Sequence, residues 1–527
     1  IFEMPPVGML ALRDHLARQG HAVGWFNLAS RMLRDPGFDV TDFLSRLDSP
    51  IFGLDLHWLA HAHGSLAVAS LIREIHPRAE ILLGGHSASY FADELVARPE
   101  VDLVQPGYNT LGAVTQLLRA GRAPSDRAAV PGLVWQHDGA PRRNPPPAQP
   151  PDYDVPVDWG RVFGGDARRT PYHITIPQAG CRYGCRWCGG SAAASRRLFG
   201  LRGEALKPGP VLREELSCLS LTGEPGRRRA HTATLIDFFH EEDGPLEAAL
   251  AGMSRSGIGA VHYSIRRLPD VERARRMIAG RRVVMELSPD SHDPEIARRG
   301  GRGAYTMEEM EHWIGALEAH VRSVEVYFMI GLPGQTERSV DETVDYCETL
   351  LARFPSGRVV PFLCPMLPFL DPGSDIFEDP ERWGYSLHHR TLEDHRAALL
   401  APSWRGRLNY ETDAMDRSTL VRVSYRAVER LTRIKVERGV LPAVLGERLA
   451  GLIGETRDLM NEIEVVEALA SGPQREERWR RCRQKIGAYN SRHATAVRSQ
   501  QRPADLGFAR DQWFDTDLEI DGILGDH

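Results

Sequence analysis

The sequence predicts an α/β protein in three parts: an N-terminal parallel sheet with helices on both faces, a central six-strand partial barrel, and a mostly helical C-terminal region. Three observations carry this. Short apolar runs alternate with amphipathic helical stretches through residues 1–125, and again from about 172 to 365. The Pro-rich stretch Arg142–Pro156 separates the two series and reads as a linker. From about residue 388 the pattern is helical and charged. The boundaries expected are 1–141, a linker at 142–167, 168–387 and 388–527.

In the first part, Met9–Gln19 has helical periodicity and Ala22–Phe26 reads as a short strand. Ile51–His57 suits a buried strand, Ser65–Ile75 a helix, and Glu80–Leu83 a strand closed by Gly84-Gly85. Tyr90–Ala97 reads as a helix, Asp102–Gln105 as a strand and Leu111–Arg119 as a helix, with a hairpin around Gly132–Gly139. This rhythm is Rossmann-like, and ligands of such sheets bind beyond the carboxyl ends of the strands. In the second part the strands are Tyr172–Ile176, Thr232–Phe239, Ala260–Ser264, Val283–Leu287, Ser323–Ile330 and Val359–Cys364. Met307–His320 and Ser339–Phe354 are helices between them. Six such units fall short of eight and suit a partial barrel, with chemistry at the strands' carboxyl ends. Leu420–Val440, Ala443–Ala470 and Gln474–Val497 are long helices, and the acidic tail after Arg502 is expected to be loosely ordered.

Composition narrows the class. Of 527 residues, 42% are hydrophobic and 26% charged, which excludes fibrous and wholly disordered chains. Charge, Gly or Pro interrupts every apolar run well short of the ~20 residues a membrane helix needs. A net charge of −6 argues against a large basic nucleic-acid face. The basic residues are almost all Arg; the lysines are Lys207, Lys435 and Lys485. No secretory leader is evident, so a cytoplasmic location is expected, and the opening Ile1-Phe2-Glu3-Met4 suggests that a short piece with a first strand precedes it.

Seven cysteines, at 181, 185, 188, 218, 347, 364 and 482, do not suit a disulfide framework. Three of them form Cys181-Arg182-Tyr183-Gly184-Cys185-Arg186-Trp187-Cys188, in a loop directly after a strand. Three thiolates at C-x3-C-x2-C can hold three irons of a [4Fe–4S] cube and leave the fourth open to a substrate or cofactor. Gly180, Gly184, Gly189 and Gly190 let the loop wrap tightly. The plainer readings are buried thiols or zinc, although no second Cys or His pair with zinc spacing lies near. The remaining four cysteines are scattered and read as buried thiols.

The spacing resembles the signature of the radical S-adenosylmethionine (SAM) superfamily, C-x3-C-x-aromatic-C, with Trp187 at the aromatic position. The resemblance implies that SAM binds the open iron and that its reductive cleavage yields a 5′-deoxyadenosyl radical. It also implies SAM contacts by Trp187, by Glu286 and Ser288 at a strand end, and by the turn Gly331-Leu332-Pro333-Gly334 near adenine. Many family members carry Gly-Gly-Glu after the second strand. Here Asp237 stands there, as a substitute contact or simply a cap.

The first part resembles the cobalamin-binding domain that precedes many radical SAM domains. On that likeness Pro6, Val7, Gly8, Gly84, Gly85, His86, Ser87, Gly107 and Tyr108 approach the corrin or its tail. Gly107-Tyr108-Asn109-Thr110 replaces the family's usual Gly-Glu-Gly-Glu, which puts the detail of tail binding in doubt. Asp55-Leu56-His57-Trp58-Leu59-Ala60 lacks the Gly of the D-x-H-x-x-G ligand motif, so His57 and Trp58 either cover cobalt without it or serve as core and cap residues. His57–Leu66 with Ser89-Tyr90-Phe91 looks like a branch that includes antibiotic-pathway methyltransferases acting on a pyrrole carbon or on phosphinate phosphorus.

The function implied is a cobalamin-dependent radical SAM methyltransferase. It would pass a methyl group from methylcobalamin to an unactivated carbon of a small or carrier-linked biosynthetic intermediate, with flavodoxin or ferredoxin as electron donor. The alternatives are the same cofactors without net methylation, P-methylation, or a non-catalytic iron–sulfur or cobalamin sensor. A sensor needs an output module; the basic run Arg422–Arg438 reads more simply as a solvated helix face. Acid–base candidates are His240, Asp243, His262 and His292.

Overall fold

The computed structural model describes residues 7–35, 37–108, 110–147, 156–158, 172–218, 232–236, 243–366 and 369–498. By its contacts the chain forms two units, each discontinuous in sequence. Unit 1 is Ile1–Thr222, His240–Ile258 and Phe369–Leu400; unit 2 is Gly223–Phe239, Gly259–Pro368 and Ala401–His527.

Unit 1 opens with the helix Val7–Arg18 and then a sheet. Its strands are β1 (Ile51–Asp55), β2 (Glu80–Gly84), β3 (Leu103–Gln105), β4 (Val134–His137) and β5 (Ala140–Arg143), hydrogen-bonded in that order. β1, β2 and β3 are parallel, and β4 and β5 form an antiparallel edge. Alternation along β2 explains why helices cover both faces. Ile81 and Leu83 pack with Leu66, Ala69 and Ile72 of the helix Ala62–Ile75. Leu82 points the other way, with Leu103, onto Leu16 and onto Ala113, Val114 and Leu117 of the helix Leu111–Arg119. The expected strand at Ala22–Phe26 does not form. Residues 21–27 are irregular, Val23 and Phe26 stay exposed, and the Phe26 ring packs on Phe43 at 5.0 Å. The helix expected at Tyr90–Ala97 is two short ones, His86–Tyr90 and Ala92–Val96, because Phe91 leaves helical geometry.

The same unit continues with β6 (Tyr172–Thr175), then β7 (Gln178–Gly180) paired antiparallel to β8 (Glu204–Leu206). The cysteine loop and the helix Ala192–Phe199 lie between those last two strands. The helices Gly209–Ser217 and Asp243–Ser256 pack on each other.

Unit 2 is built on β9 (Thr232–Ile236), β10 (Ala260–Ile265), β11 (Arg282–Asp290), β12 (Ser323–Ile330) and β13 (Val359–Pro365). All four neighbouring pairs are parallel, in sequence order, with helices at the crossovers. Parallel strands are usually apolar on both faces; here one face is apolar and the other is not. Val261, Tyr263, Ile265, Val283, Met285, Leu287, Val324, Val326 and Phe328 are buried on one face. His262, Ser264, Glu286, Ser288, Glu325 and Tyr327 alternate with them.

The C-terminal helices are Arg417–Glu437, Ala443–Glu467 and Pro473–Arg498. The first lies along Glu337–Arg353. Arg422 pairs with Glu337, Arg426 with Asp341, Arg430 with Asp345 and Arg438 with Glu348. Such half-exposed pairs each contribute about 0–1 kcal/mol, so their use is register. The expected solvated basic face is half-exposed, and its arginines also pair with a neighbouring helix. Among the described residues, no helix is long and apolar enough to cross a membrane.

Candidate functional site

In unit 1 the loops after β1 and β2 are zipped together. Leu56 N–H donates to Gly84 O at 2.8 Å, Ser87 N–H to His57 O at 3.1 Å, and Ser87 Oγ to the same oxygen at 2.9 Å. Gly85 makes this possible: its φ is +112°, and a Cβ there would lie 2.7 Å from His57 N. The loop after β3 joins through Gly107, whose φ is +113° and whose N–H donates to Ser89 Oγ at 3.2 Å.

These loops present rings that are open to water yet ringed by protein. Trp58 is 41% and Tyr108 39% exposed, and His57 is exposed as well. Desolvation, then the neighbouring His86 and His61, lowers the His57 imidazole to about 4, so it is neutral at pH 7. His57 stacks edge-on to Trp58 at 4.6 Å and stands 6.2 Å from His86.

The cysteine loop starts where β7 ends at Gly180, whose φ is +84° and whose Cβ would sit 2.6 Å from Gly203 O. Arg182 Nε donates to Glu204 Oε1 at 2.8 Å, and Ala192 N–H to Tyr183 O at 2.9 Å, which ties both ends of the loop. Cys185 is buried, and Cys181 and Cys188 are half-buried. Backbone N–H groups of Tyr183 and Gly190 donate to Cys181 Sγ and Cys188 Sγ, each at 3.4 Å. Ser191 caps the following helix by accepting from Ala194 N–H at 3.3 Å.

This loop meets the loops of the first sheet. A Cβ on Gly189 would strike the His86 ring and lie 2.8 Å from Asp371 Cβ. His86 is 6.0 Å from the Phe199 ring, and Tyr108 is 4.7 Å from it. Burial, then Cys188, pushes the Tyr108 hydroxyl up to about 12, while Ser195 opposes the shift.

Unit 2 carries a second polar cluster. His262 Nε2 is 3.2 Å from Glu286 Oε2, both about 23% exposed, and Ser264 Oγ donates to Glu286 Oε1 at 2.8 Å. Burial alone would lower His262 and raise Glu286. Their close ion-pair contact wins, so His262 is raised and Glu286 lowered. Glu325, paired in register with Glu286, accepts from Tyr327 Oη at 2.9 Å. Burial raises Glu325. Lys435, from the helix Arg417–Glu437, sets its ammonium 4.0 Å over the Phe362 ring. Burial lowers it to about 8, against nearby Cys347 and Glu325.

The Gly331-Leu332-Pro333-Gly334 turn is rigid. Gln335 Oε1 accepts from Gly331 N–H at 2.7 Å and Leu332 N–H at 3.2 Å, and its Nε2 donates to Met329 O at 3.0 Å. Gly331 has φ +100°, and its Cβ would lie 2.8 Å from Tyr410 Oη.

Of the residues singled out from sequence, His57, Trp58, Gly84, Gly85, His86, Ser87, Gly107, Tyr108 and the three cysteines gather within unit 1. Val7 and Gly8 open the first helix of the same unit. Glu286, Ser288 and the Gly331 turn belong to unit 2. Pro6, Asp237 and His240 lie outside the described residues, as does the Asp243 side chain. His262 faces Glu286, whereas His292 stacks on Tyr346 at 5.6 Å and meets Thr343 Oγ1 at 3.0 Å, a packing role. Cys347 and Cys482 are buried; Cys218 and Cys364 are half-buried. Sequence reasoning missed Glu325, Tyr327, Lys435 and Asp371. For the first two the signal was a polar residue at every second place in an apolar strand. Lys435 was one of three lysines among dozens of arginines. Asp371 carried none.

No protein-family model and no curated protein matches the chain. Solved structures do match. The radical SAM methyltransferase TsrM from Kitasatospora setae, with cobalamin and a [4Fe–4S] cluster bound, aligns at TM-score 0.56 and 14% identity over 82% of this chain and 86% of that one. The same enzyme with tryptophan substrate and the SAM analogue aza-SAM aligns at 0.55 and 16%, over 73% and 76%. The chain has the fold of cobalamin-dependent radical SAM enzymes. OxsB, a cobalamin-dependent SAM radical enzyme solved with aqua-cobalamin, aligns at 0.53 and 12% over 99% of this chain and 74% of that one. At such identities the likeness is one of fold.

Proposed function

We propose that the chain is a cobalamin-dependent radical SAM methyltransferase acting on an unactivated carbon of a small biosynthetic intermediate. One observation carries the reading: within unit 1 the three-cysteine loop packs, at Gly189, against His86 of the corrin-type loop. On this reading residues 1–141 form the cobalamin module, and 168–387 a partial (β/α)6 barrel. Cys181, Cys185 and Cys188 hold the cluster. The residues fit such a group. Trp187 Nε1 is a buried donor without a protein partner, and two backbone N–H groups already serve Cys181 and Cys188. Flat exposed rings at Trp58 and Tyr108 fit a corrin.

Bound there, the cluster, SAM and cobalamin supply the radical and methyl chemistry. The chain's own part is placement. His57, neutral at pH 7, and Trp58 would cover a bound corrin without adding charge. Trp187 would offer its indole N–H to SAM. In unit 2, Glu286, held by His262 and Ser264, and the clamped Gly331 turn would be the SAM-binding acceptors and backbone that the resemblance implies. Flavodoxin or ferredoxin supplies electrons, and the antibiotic-pathway assignment stays with this proposal.

The test is anaerobic incubation of reconstituted protein with SAM and a low-potential reductant. Formation of 5′-deoxyadenosine and S-adenosylhomocysteine together is expected. A fully loaded protein that forms neither would overturn the reading.

A further inference from the structure

We propose that Asp371 is a positioning residue that ties the cysteine loop to the His86 loop, so that one carboxylate sets the spacing between cluster and corrin. The inference rests on the function proposed above.

Asp371 Oδ2 accepts the Gly189 N–H at 2.9 Å, one residue past Cys188. Its Cβ stands 2.8 Å from where a Gly189 Cβ would be, and the His86 ring fills the other side of that space. His86 Nε2 lies 3.3 Å from the carbonyl oxygen of Pro372, the next residue after Asp371. Gly189 is therefore a glycine because two loops and a carboxylate meet at its α-carbon.

The segment around Asp371 is anchored firmly enough to act as a reference point. Ile376 N–H donates to Arg186 O at 3.0 Å, and Arg186 Nη1 meets Asp375 Oδ2 at 2.7 Å. Arg197 donates to Gly373 O and meets Asp375 Oδ1 at 3.1 Å. Gly373, with φ +84°, leaves no room for a Cβ against Leu198. All of these contacts hold the cysteine loop or its helix. Pro372, the residue after Asp371, also reaches His86. A hydrogen bond to a peptide N–H beside a cluster ligand fixes that ligand's backbone, and such fixed groups tune the metal they surround.

The experiment compares wild type, Asp371→Asn and Asp371→Ala after anaerobic reconstitution with iron, sulfide and hydroxocobalamin. Iron and cobalt contents are measured first, then the electron paramagnetic resonance spectrum of the reduced cluster and the visible spectrum of bound cobalamin. The proposal expects Asp371→Ala to keep wild-type metal contents while both spectra shift, and Asp371→Asn, which still offers an oxygen to Gly189, to restore both. Unchanged spectra at full loading would overturn it, and so would a shift in one spectrum alone. If Asp371→Ala fails to fold, Gly189→Ala approaches the same point from the other side and should move both spectra too. Wild type that takes up neither metal would instead overturn the proposed function, so the two failures are distinguishable.

Discussion

In unit 1 the candidate chemistry hangs on loops: three cysteines in eight residues, and glycines at 85, 107 and 180 whose positive φ allows backbone to approach backbone. In unit 2 it hangs on strands, where His262, Ser264, Glu286, Glu325 and Tyr327 share one face because side chains alternate. The first kind of site is written locally and can be read as a motif. The second exists only once strand register brings Glu286 opposite Ser264 on one side and Glu325 on the other. The contrast also predicts different failures. Loss of a cysteine ligand should remove cofactor with little change in fold, whereas the strand-face network should register in stability and pH dependence.

The largest expected effect is in unit 1. Cys185→Ala should abolish iron binding and 5′-deoxyadenosine formation while cobalamin uptake persists, checked by metal analysis and product chromatography. Residual 5′-deoxyadenosine at wild-type level would remove Cys185 from the site. Gly85→Ala comes next. Its positive φ and the 2.7 Å approach of His57 N should cost about 1–3 kcal/mol. A lower melting temperature and weaker cobalamin binding are expected together, since the same turn shapes the loop.

In unit 2, Glu286→Gln should lower stability by about 1–3 kcal/mol by unpairing His262 and weakening the acceptor for Ser264. The pH dependence has a definite sign. His262 is raised above its ordinary 6.5, so its contribution is full below 6.5 and fades as pH climbs through the raised value. Glu286 is lowered, so its contribution is present above 4.5 and is lost as pH falls through the lowered value. Chemical denaturation should therefore show wild type losing stability above about pH 6.5, with a flatter profile in Glu286→Gln. Parallel profiles would separate the pair from stability. The smallest effect is Trp58→Ala. This ring is 41% exposed, so stability should change by less than about 0.5 kcal/mol. Cobalamin affinity, read by titration of its visible spectrum, should fall.

Much of the fold was legible. The helix Leu111–Arg119 and strand Ser323–Ile330 fall where periodicity puts them. The strand expected at Ala22–Phe26 shows the limit: five residues of apolar character do not make a strand without a neighbour to pair with, and the Phe26 ring found Phe43 instead. The cysteine loop was legible because its three cysteines are written within eight residues of sequence. Asp371 was not, because it lies 182 residues from its partner Gly189 and nothing local distinguishes it from any loop aspartate. Arg422, Arg426 and Arg430 looked like a bare basic face until the acidic helix Glu337–Arg353 came alongside.

The central claim is that one chain holds a cluster and a corrin together. Iron and cobalt per chain, measured after anaerobic reconstitution with iron, sulfide and hydroxocobalamin, test it most directly. The account predicts about four iron and one cobalt. Four iron without cobalt would contradict it, leaving the rings of His57, Trp58 and Tyr108 to cover some other ligand.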